Sequence, residues 1–512
     1  MNKRPFLLCL SSGLLLSLSF PPLQLGFLAY VGLVPLIFLI DHTSSIRASL
    51  KYGYMTGFIF HLGTIYWIAW DTEPGLMIIV PATIAVALIL ALFFMIFSVC
   101  LSLLQNKLGE MAIFTAPFLW TAIEYLRSLG ILAFPWTSLA YSQSYYLPFI
   151  QFASFASVYG VSFWIVVLNV AFYMWIKKGL NRAKSVFILM LLVVLFVLPY
   201  VYGRCVMSKS LPEPEIRAAL LQGNFDPRMK WDKRYQKRNL DVYVEMTENV
   251  RGEELDIIVW PETAIPVYLA YEEEYKGVVQ RLADSVNVPI LTGAPHFKFD
   301  YDHNYLFYNS AFFFIPNEKH LHEYSKIHLV PFSERLPFQE VFPFLKKLNF
   351  GQANFSPGTE YTLFEIPKSR FAVLICFESI FPELVREFVR QGADFMVIIT
   401  NDAWFGKTSS PYQHARIAVF RAIENRIGLA RCANTGVSMF IDPYGRVSDE
   451  TKIFTKRSII GDVYFKKGET FYSKHGNIFS QVCVITSMGL LFVSFLLRLC
   501  PPRNKFNLFE ER

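Results

Sequence analysis

Apolar residues follow two regimes along this chain. From residue 5 to about 203 they form long, nearly continuous runs, which return at 478–499, whereas between 205 and 477 they break into short runs separated by polar stretches. A helix that crosses a bilayer needs roughly 17–25 apolar residues. Windows of that kind fall near 5–20, 24–40, 52–70, 76–104, 111–127, 160–176, 185–203 and 478–499, so eight spans are expected. The first has the make-up of a signal peptide, with Lys3 and Arg4 ahead of an apolar run. No small-residue cleavage pattern follows, and the next run starts almost at once, so it reads as a retained helix. Cys9 lies too near the start to close a lipoprotein cleavage box and reads as a core cysteine.

The segment between the apolar blocks has another period. Strand-like runs are predicted at 216–221, 255–260, 288–292, 305–315, 371–375, 395–400, 437–441 and 459–463, with amphipathic helices at 233–250, 272–286, 382–391 and 411–431. Alternation of buried strands with helices predicts an α/β layered domain. The expected fold is a multi-pass α-helical membrane domain joined to an α/β domain. The expected division is 1–204 with seven spans, 205–477 outside the bilayer, and 478–512 with a last span and short tail.

Charge adds orientation. Lys3, Arg4, Arg47, Lys51, Lys107, Lys177, Lys178, Arg182, Lys184, Arg498, Arg503 and Lys505 fall in alternate connections, and the opposite loops are nearly free of basic residues. By the positive-inside rule both termini are cytoplasmic, which places 205–477 on the far side, the periplasm of a cell with two membranes. The chain has 512 residues, 53% hydrophobic and 17% charged, with a net charge of +7. These anchoring loops account for most of that excess, so nucleic-acid binding gains no support. Of seven cysteines, Cys205, Cys376 and Cys432 lie outside the spans. Three cannot all pair, and a thiol kept free in an oxidising compartment points to chemistry, with an inert core cysteine as the alternative.

Three polar islands carry the candidate chemistry. Cys376 ends the apolar run Phe371-Ala-Val-Leu-Ile-Cys, where a strand is expected to turn into a helix whose N-terminus would favour a thiolate. A structural cysteine is the plain alternative. Glu378 and Glu383 would fall in that helix's first turn and oppose the thiolate, so a cation is required, and Lys326 in a strand-like run is the candidate. Taken alone, Lys326 also reads as a surface lysine. Glu262 in Trp260-Pro-Glu-Thr follows an apolar strand and is either a general base or a helix N-terminal residue. His320, His322 and His328 make a face rather than a metal site, no phosphate-binding glycine loop is present, and neither metal nor cofactor is expected.

Together, Trp260-Pro-Glu-Thr, Ser325-Lys-Ile-His-Leu-Val-Pro-Phe-Ser-Glu and Ile375-Cys-Phe-Glu-Ser resemble the nitrilase superfamily, whose Glu-Lys-Cys triad lies in an α-β-β-α sandwich. The flanking spans narrow the resemblance to its membrane-bound branch, the apolipoprotein N-acyltransferases. Gln222-Gly-Asn with Lys230-Trp-Asp, Tyr308-Asn-Ser, Thr400-Asn-Asp-Ala-Trp-Phe, and Phe134-Pro-Trp-Thr with Tyr141-Ser-Gln extend it over nearly the whole chain. The resemblance implies transfer of an acyl chain from a phospholipid to the α-amino group of a diacylglyceryl-cysteine, through a thioester on Cys376. Glu262 would move the proton and Lys326 would hold the oxyanion. It further implies that Glu334 supports Lys326 and Glu262, that Trp231 and Asn309 line or brace the site, and that Glu378 braces the cysteine loop. Phe377 stands where the family often has Tyr. The aromatic loops around Trp136, Tyr141, Tyr145 and Tyr146, and near Phe338, Phe342 and Phe344, are expected at a lipid entrance or lid, with ordinary interfacial anchoring as the alternative for the first group. One chain holds every part of this chemistry, so a monomer is expected. The residues alone leave open a membrane-tethered nitrilase-like amidase that transfers to water, and a transporter or lipid-binding module carrying a non-catalytic domain.

Overall fold

The computed structural model describes residues 3–71, 75–177, 182–211, 213–230, 232–339, 341–342, 353–367 and 369–499. Twelve strands form two six-stranded sheets. The first runs in the order β12 (Arg457–Val463), β1 (Ile216–Gln222), β2 (Ile257–Val259), β3 (Ile290–Phe299), β4 (Tyr305–Phe314), β5 (His322–Ser325). The second runs β11 (Val447–Ser448), β10 (Met439–Ile441), β9 (Gly428–Ala433), β8 (Phe395–Thr400), β7 (Ser369–Ile375), β6 (Leu363–Ile366). Both are mixed. β1–β2–β3 and β7–β8–β9 are parallel, which is why their sequences are nearly continuous apolar runs, and the outer pairs are antiparallel.

Period-two side chains divide β1 between two cores. Ile216, Ala218 and Leu220 belong to the interior shared with the second sheet, whereas Ala219 and Leu221 pack with Leu240, Tyr243 and Met246 of helix Lys233–Glu248. Between the sheets, the Phe313 ring meets Phe364 and Phe371 with centroids 5.4 and 5.2 Å apart. The Cys432 thiol donates to the Val259 carbonyl across the same interface at 3.3 Å, which makes it a core cysteine.

Four of these strands escape the periodicity: β5, β6, β9 and β11. The reason is clearest for β9, which hides inside the helix expected at 411–431. That helix is Ser410–Asn425; Arg426 caps it in the left-handed conformation (φ 50°), and the chain then enters β9 carrying a buried Arg431. An arginine on an interior strand cannot be anticipated without its partner, the Asp402 carboxylate 2.9 Å away.

Among the described residues four helical stretches are long and apolar enough to cross a membrane: 76–127, Ala153–Ile176, Arg182–Met207 and Ile478–Leu497. The first is helix Leu76–Leu108, a 3-10 segment Gly109–Thr115 and helix Ala116–Arg127. Helix Ile46–Ile65 packs on Leu76–Leu108, and Lys3–Leu18 packs on Ile46–Ile65. The run expected at 24–40 is broken into Gly26–Leu28, Ala29–Gly32 and Val34–Asp41.

The connection 128–152 and helix Ser410–Asn425 join the two parts. Gln413 accepts from both Trp67 Nε1 (3.1 Å) and Trp136 Nε1 (2.8 Å) and donates to the Thr64 carbonyl (3.2 Å). Glu424, fully buried, accepts from Ser157 Oγ (2.6 Å), Val158 N (2.8 Å) and Arg421 Nη2 (3.0 Å), at a kink where Ser157 has φ 57° inside Ala153–Ile176. Gln151 donates to the Tyr444 carbonyl and accepts from Arg426. Trp136 and Tyr141, expected at a lipid entrance, are instead buried in this joint, because their polar atoms find partners on the α/β domain rather than at an interface.

Candidate active site

Glu262 leaves the end of β2 through Trp260-Pro261 and is buried against β3. The approach is close: a Cβ on Gly293 would lie 2.6 Å from Thr263 N and 2.7 Å from Glu262 Cα. Glycine is therefore needed there. Asn309 on β4 donates one amide hydrogen to Glu262 Oε1 (2.8 Å) and the other to Glu334 Oε1 (3.0 Å). Glu334 also takes the Lys326 ammonium at 2.9 Å and the Val330 N–H at 2.7 Å. Glu262, Asn309, Glu334 and Lys326 thus form one hydrogen-bonded chain from three separate parts of the sequence. Lys326 lies just past β5 rather than within a strand, its backbone N–H on the Asn309 carbonyl at 2.9 Å.

Burial works against the Lys326 charge, but the carboxylate of Glu334, with Cys376 and Glu262, outweighs it and holds the ammonium above its ordinary range. A surface lysine would show none of this. Cys376 goes the other way. Burial first, then the negative charge of Glu262, push the thiol up, and Lys326 compensates only in part. At neutral pH the resting sulfur is therefore a thiol.

The local conformation of Cys376 differs from expectation. No α-helix starts there: β7 ends at Ile375, a 3-10 turn spans Cys376–Ile380, and the α-helix begins only at Pro382. Cys376 itself is left-handed, φ 53°. For a residue with a side chain that costs roughly 1–3 kcal/mol, and it persists because the turn is anchored. Glu378 is the main anchor. Fully buried, it accepts from Tyr324 Oη (2.7 Å), Ile327 N (2.7 Å), His328 N (3.2 Å) and Ile375 N (2.7 Å), tying β7 to the segment that carries Lys326. Burial pushes its carboxyl up to about 7, against the opposing pull of those donors and of Lys326. Glu383 lies on the outside, paired with Arg386. Behind the turn, Ser379 Oγ–H donates to the Cys376 carbonyl (3.0 Å), and His414 Nε2 lies 3.1 Å from the same oxygen.

The Phe377 ring is buried between Phe381 (centroids 5.2 Å) and Phe134 (6.4 Å). Trp231 and Phe344 lie outside the described residues, whereas Phe338 and Phe342 are exposed. Among the described residues no three His, Cys, Asp or Glu side chains are gathered as metal ligands. His322 pairs with Glu318 and His328 stacks on Phe381. Sequence reasoning did not single out Ser379, Asp402, Gln413 or His414. Asp402 lies within the quoted Thr400-Asn-Asp-Ala-Trp-Phe, but His414 and Gln413 look like ordinary polar positions on a helix until their burial is seen.

Two family models match this chain. Residues 12–171 match the family model described as the apolipoprotein N-acyltransferase N-terminal domain, and residues 217–470 match carbon-nitrogen hydrolase. The apolipoprotein N-acyltransferase of Geobacter metallireducens is 35% identical over 508 residues, covering 96% of each chain. This chain belongs to the apolipoprotein N-acyltransferase family. The Chlorobaculum tepidum member is 34% identical across 94% of this chain and 95% of its own, and the Rickettsia prowazekii member 28% across 96% and 98%. As a member, the chain is an acyltransferase whose α/β part is a nitrilase-type domain.

Proposed function

We propose that this protein moves an acyl chain from a phospholipid to the α-amino group of the N-terminal diacylglyceryl-cysteine of an apolipoprotein, by way of a thioester on Cys376. The observation that carries the reading is the continuous path Glu262–Asn309–Glu334–Lys326, electrostatically coupled to Cys376, in a domain joined to apolar helices.

In the first half-reaction Glu262 takes the thiol proton as sulfur attacks the ester carbonyl. Lys326 holds the oxygen that becomes negative. The intermediate collapses with cleavage of the acyl C–O bond, Glu262 returns the proton to the departing lysophospholipid oxygen, and the acyl thioester remains. In the second, the acceptor amine gives a proton to Glu262 as nitrogen attacks the thioester carbonyl. The C–S bond breaks, the thiol is re-protonated, and the amide leaves. Glu334 keeps the ammonium charged and in place, Asn309 holds the two carboxylates apart, and Glu378 braces the cysteine turn. Phe377 and Trp231 would line the site.

Both substrates carry acyl chains that leave lipid at a cost of about 0.8 kcal/mol per CH2. This reading therefore includes eight spans, an α-β-β-α catalytic domain over 205–477 in the periplasm, both termini in the cytoplasm and residence in the inner membrane as a monomer.

The test is incubation of purified protein with a phospholipid labelled in its acyl chain. Hydroxylamine-sensitive label is expected on the wild type and not on Cys376→Ser. Equal, equally labile label on the serine variant would refute the thioester. Addition of a diacylated lipopeptide is then expected to yield triacylated peptide; release of free fatty acid alone would make the enzyme a hydrolase.

A further inference from the structure

A second buried polar line ends at the Cys376 carbonyl. Arg431 Nη2 donates to Asp402 Oδ2 at 2.9 Å, Asp402 Oδ1 faces His414 Nδ1 at 2.8 Å, and His414 Nε2 is 3.0 Å from Ser379 Oγ and 3.1 Å from the Cys376 carbonyl oxygen. Ser379 Oγ–H reaches that same oxygen at 3.0 Å. All four side chains are essentially inaccessible. No substrate can touch Ser379, so the Asp-His-Ser order is not a second hydrolase site.

Its position assigns it another task. The peptide unit is planar and trans, so fixing the Cys376 carbonyl fixes the plane of the Cys376–Phe377 peptide. Together with the left-handed φ of Cys376, that plane sets the direction in which the side chain leaves Cα. Ser379 lies in the same 3-10 turn, whereas His414 belongs to helix Ser410–Asn425 and Asp402 to the turn after β8. Two side chains, one from the turn itself and one from helix Ser410–Asn425, thus lie at this carbonyl, and Asp402 holds the second of them. Arg431 and His414 hold Asp402 ionised although burial opposes it, so Asp402 takes the Nδ1–H of His414. Burial and Arg431 keep the His414 ring neutral, so its Nε2 is an acceptor that positions the Ser379 hydroxyl, and Ser379 is the donor to the Cys376 carbonyl.

We propose that Ser379, His414 and Asp402 are positioning residues that hold the strained backbone of Cys376 so that its sulfur faces Glu262 and Lys326. The proposal rests on Cys376 being the nucleophile. It concerns rate rather than lipid binding, because none of the three reaches the cleft.

The experiment uses the full-length enzyme in detergent or vesicles and measures thioester formation from labelled phospholipid, with KM, kcat and Tm for each variant. His414→Phe keeps a ring beside Trp136, 5.2 Å away, but offers no polar atom. It is expected to lower kcat about tenfold or more with KM unchanged. His414→Gln places an amide near the Nε2 position and is expected to recover most of that loss. Full rate in the Phe variant, or equal loss in the Phe and Gln variants, would overturn the proposal. Should the Phe variant fail to fold, Ser379→Ala carries the test: a several-fold lower kcat at unchanged KM supports the proposal, and wild-type kcat overturns it. Cys376→Ser run alongside separates the two readings, since label surviving on it removes the nucleophile itself.

Discussion

At the scale of single residues, the site depends on one neutral amide between two acids. Asn309 supplies a hydrogen to Glu262 and another to Glu334, so Asn309→Asp would set three carboxylates within hydrogen-bonding reach. Like charges at that spacing force one acid to keep its proton. The labelled-lipid assay is expected to show acylation reduced about a hundredfold or more, with Lys326→Ala at least as slow. Glu378 sets a pH dependence. Its four partners donate to it, so the ionised carboxylate takes all four hydrogen bonds and the protonated acid loses acceptor capacity among them. As pH falls through about 7 it takes up a proton and the bracing of the Cys376 turn weakens. Acylation is therefore expected to decline on the acid side with a midpoint near 7, and a flat profile down to pH 5.5 would contradict this. Stability runs in the opposite sense. A carboxyl raised above its ordinary 4.5 favours the folded state most below 4.5, and that contribution is lost as pH rises to about 7. Glu262, Lys326 and Cys376 were legible as polar islands in apolar surroundings. The conformation of Cys376 was not: a helix N-terminus was expected and a left-handed turn stands there, anchored by Glu378, whose partners Tyr324, Ile327 and His328 lie 54, 51 and 50 positions away.

At the scale of elements, the strand ends do the aiming. Gly293→Ala would push β3 from the Glu262 turn, since the added methyl lies under 3 Å from two backbone atoms. A loss of kcat larger than any fall in Tm is expected, measured by the same assay beside thermal unfolding. Helix Ser410–Asn425 carries the buried Arg421–Glu424 pair, whose Nε and Oε2 are 2.9 Å apart. Glu424→Gln leaves the guanidinium without its counter-charge, a change that typically destabilises by about 3–5 kcal/mol. Unfolding in detergent is expected at clearly lower temperature or denaturant than for the wild type. Period and apolarity disclosed eight of the twelve strands and all the principal helices of the α/β domain. β5, β6 and β11 were too short to show a pattern, and β9 carries an arginine that only its ion pair with Asp402 explains.

At the scale of the whole molecule, hydropathy separated the two parts but not the joint between them. Gln413, Gln151, Trp136 and Tyr141 form that joint, and each has an ambiguous sequence signature: a polar residue on a helix, or an aromatic in a loop. A fragment of residues 205–477 alone would expose the surface that these side chains cover. It is expected to aggregate without detergent and to take no label, whereas the intact chain does both folding and labelling; a soluble, labelling fragment would show the joint to be dispensable. Glu424 has a further consequence in the order of synthesis. Ser157 and Val158, its donors, precede it by 267 and 266 residues. A ribosome delivers the kinked helix long before helix Ser410–Asn425, so the docking partner of the buried acid already exists when that acid emerges.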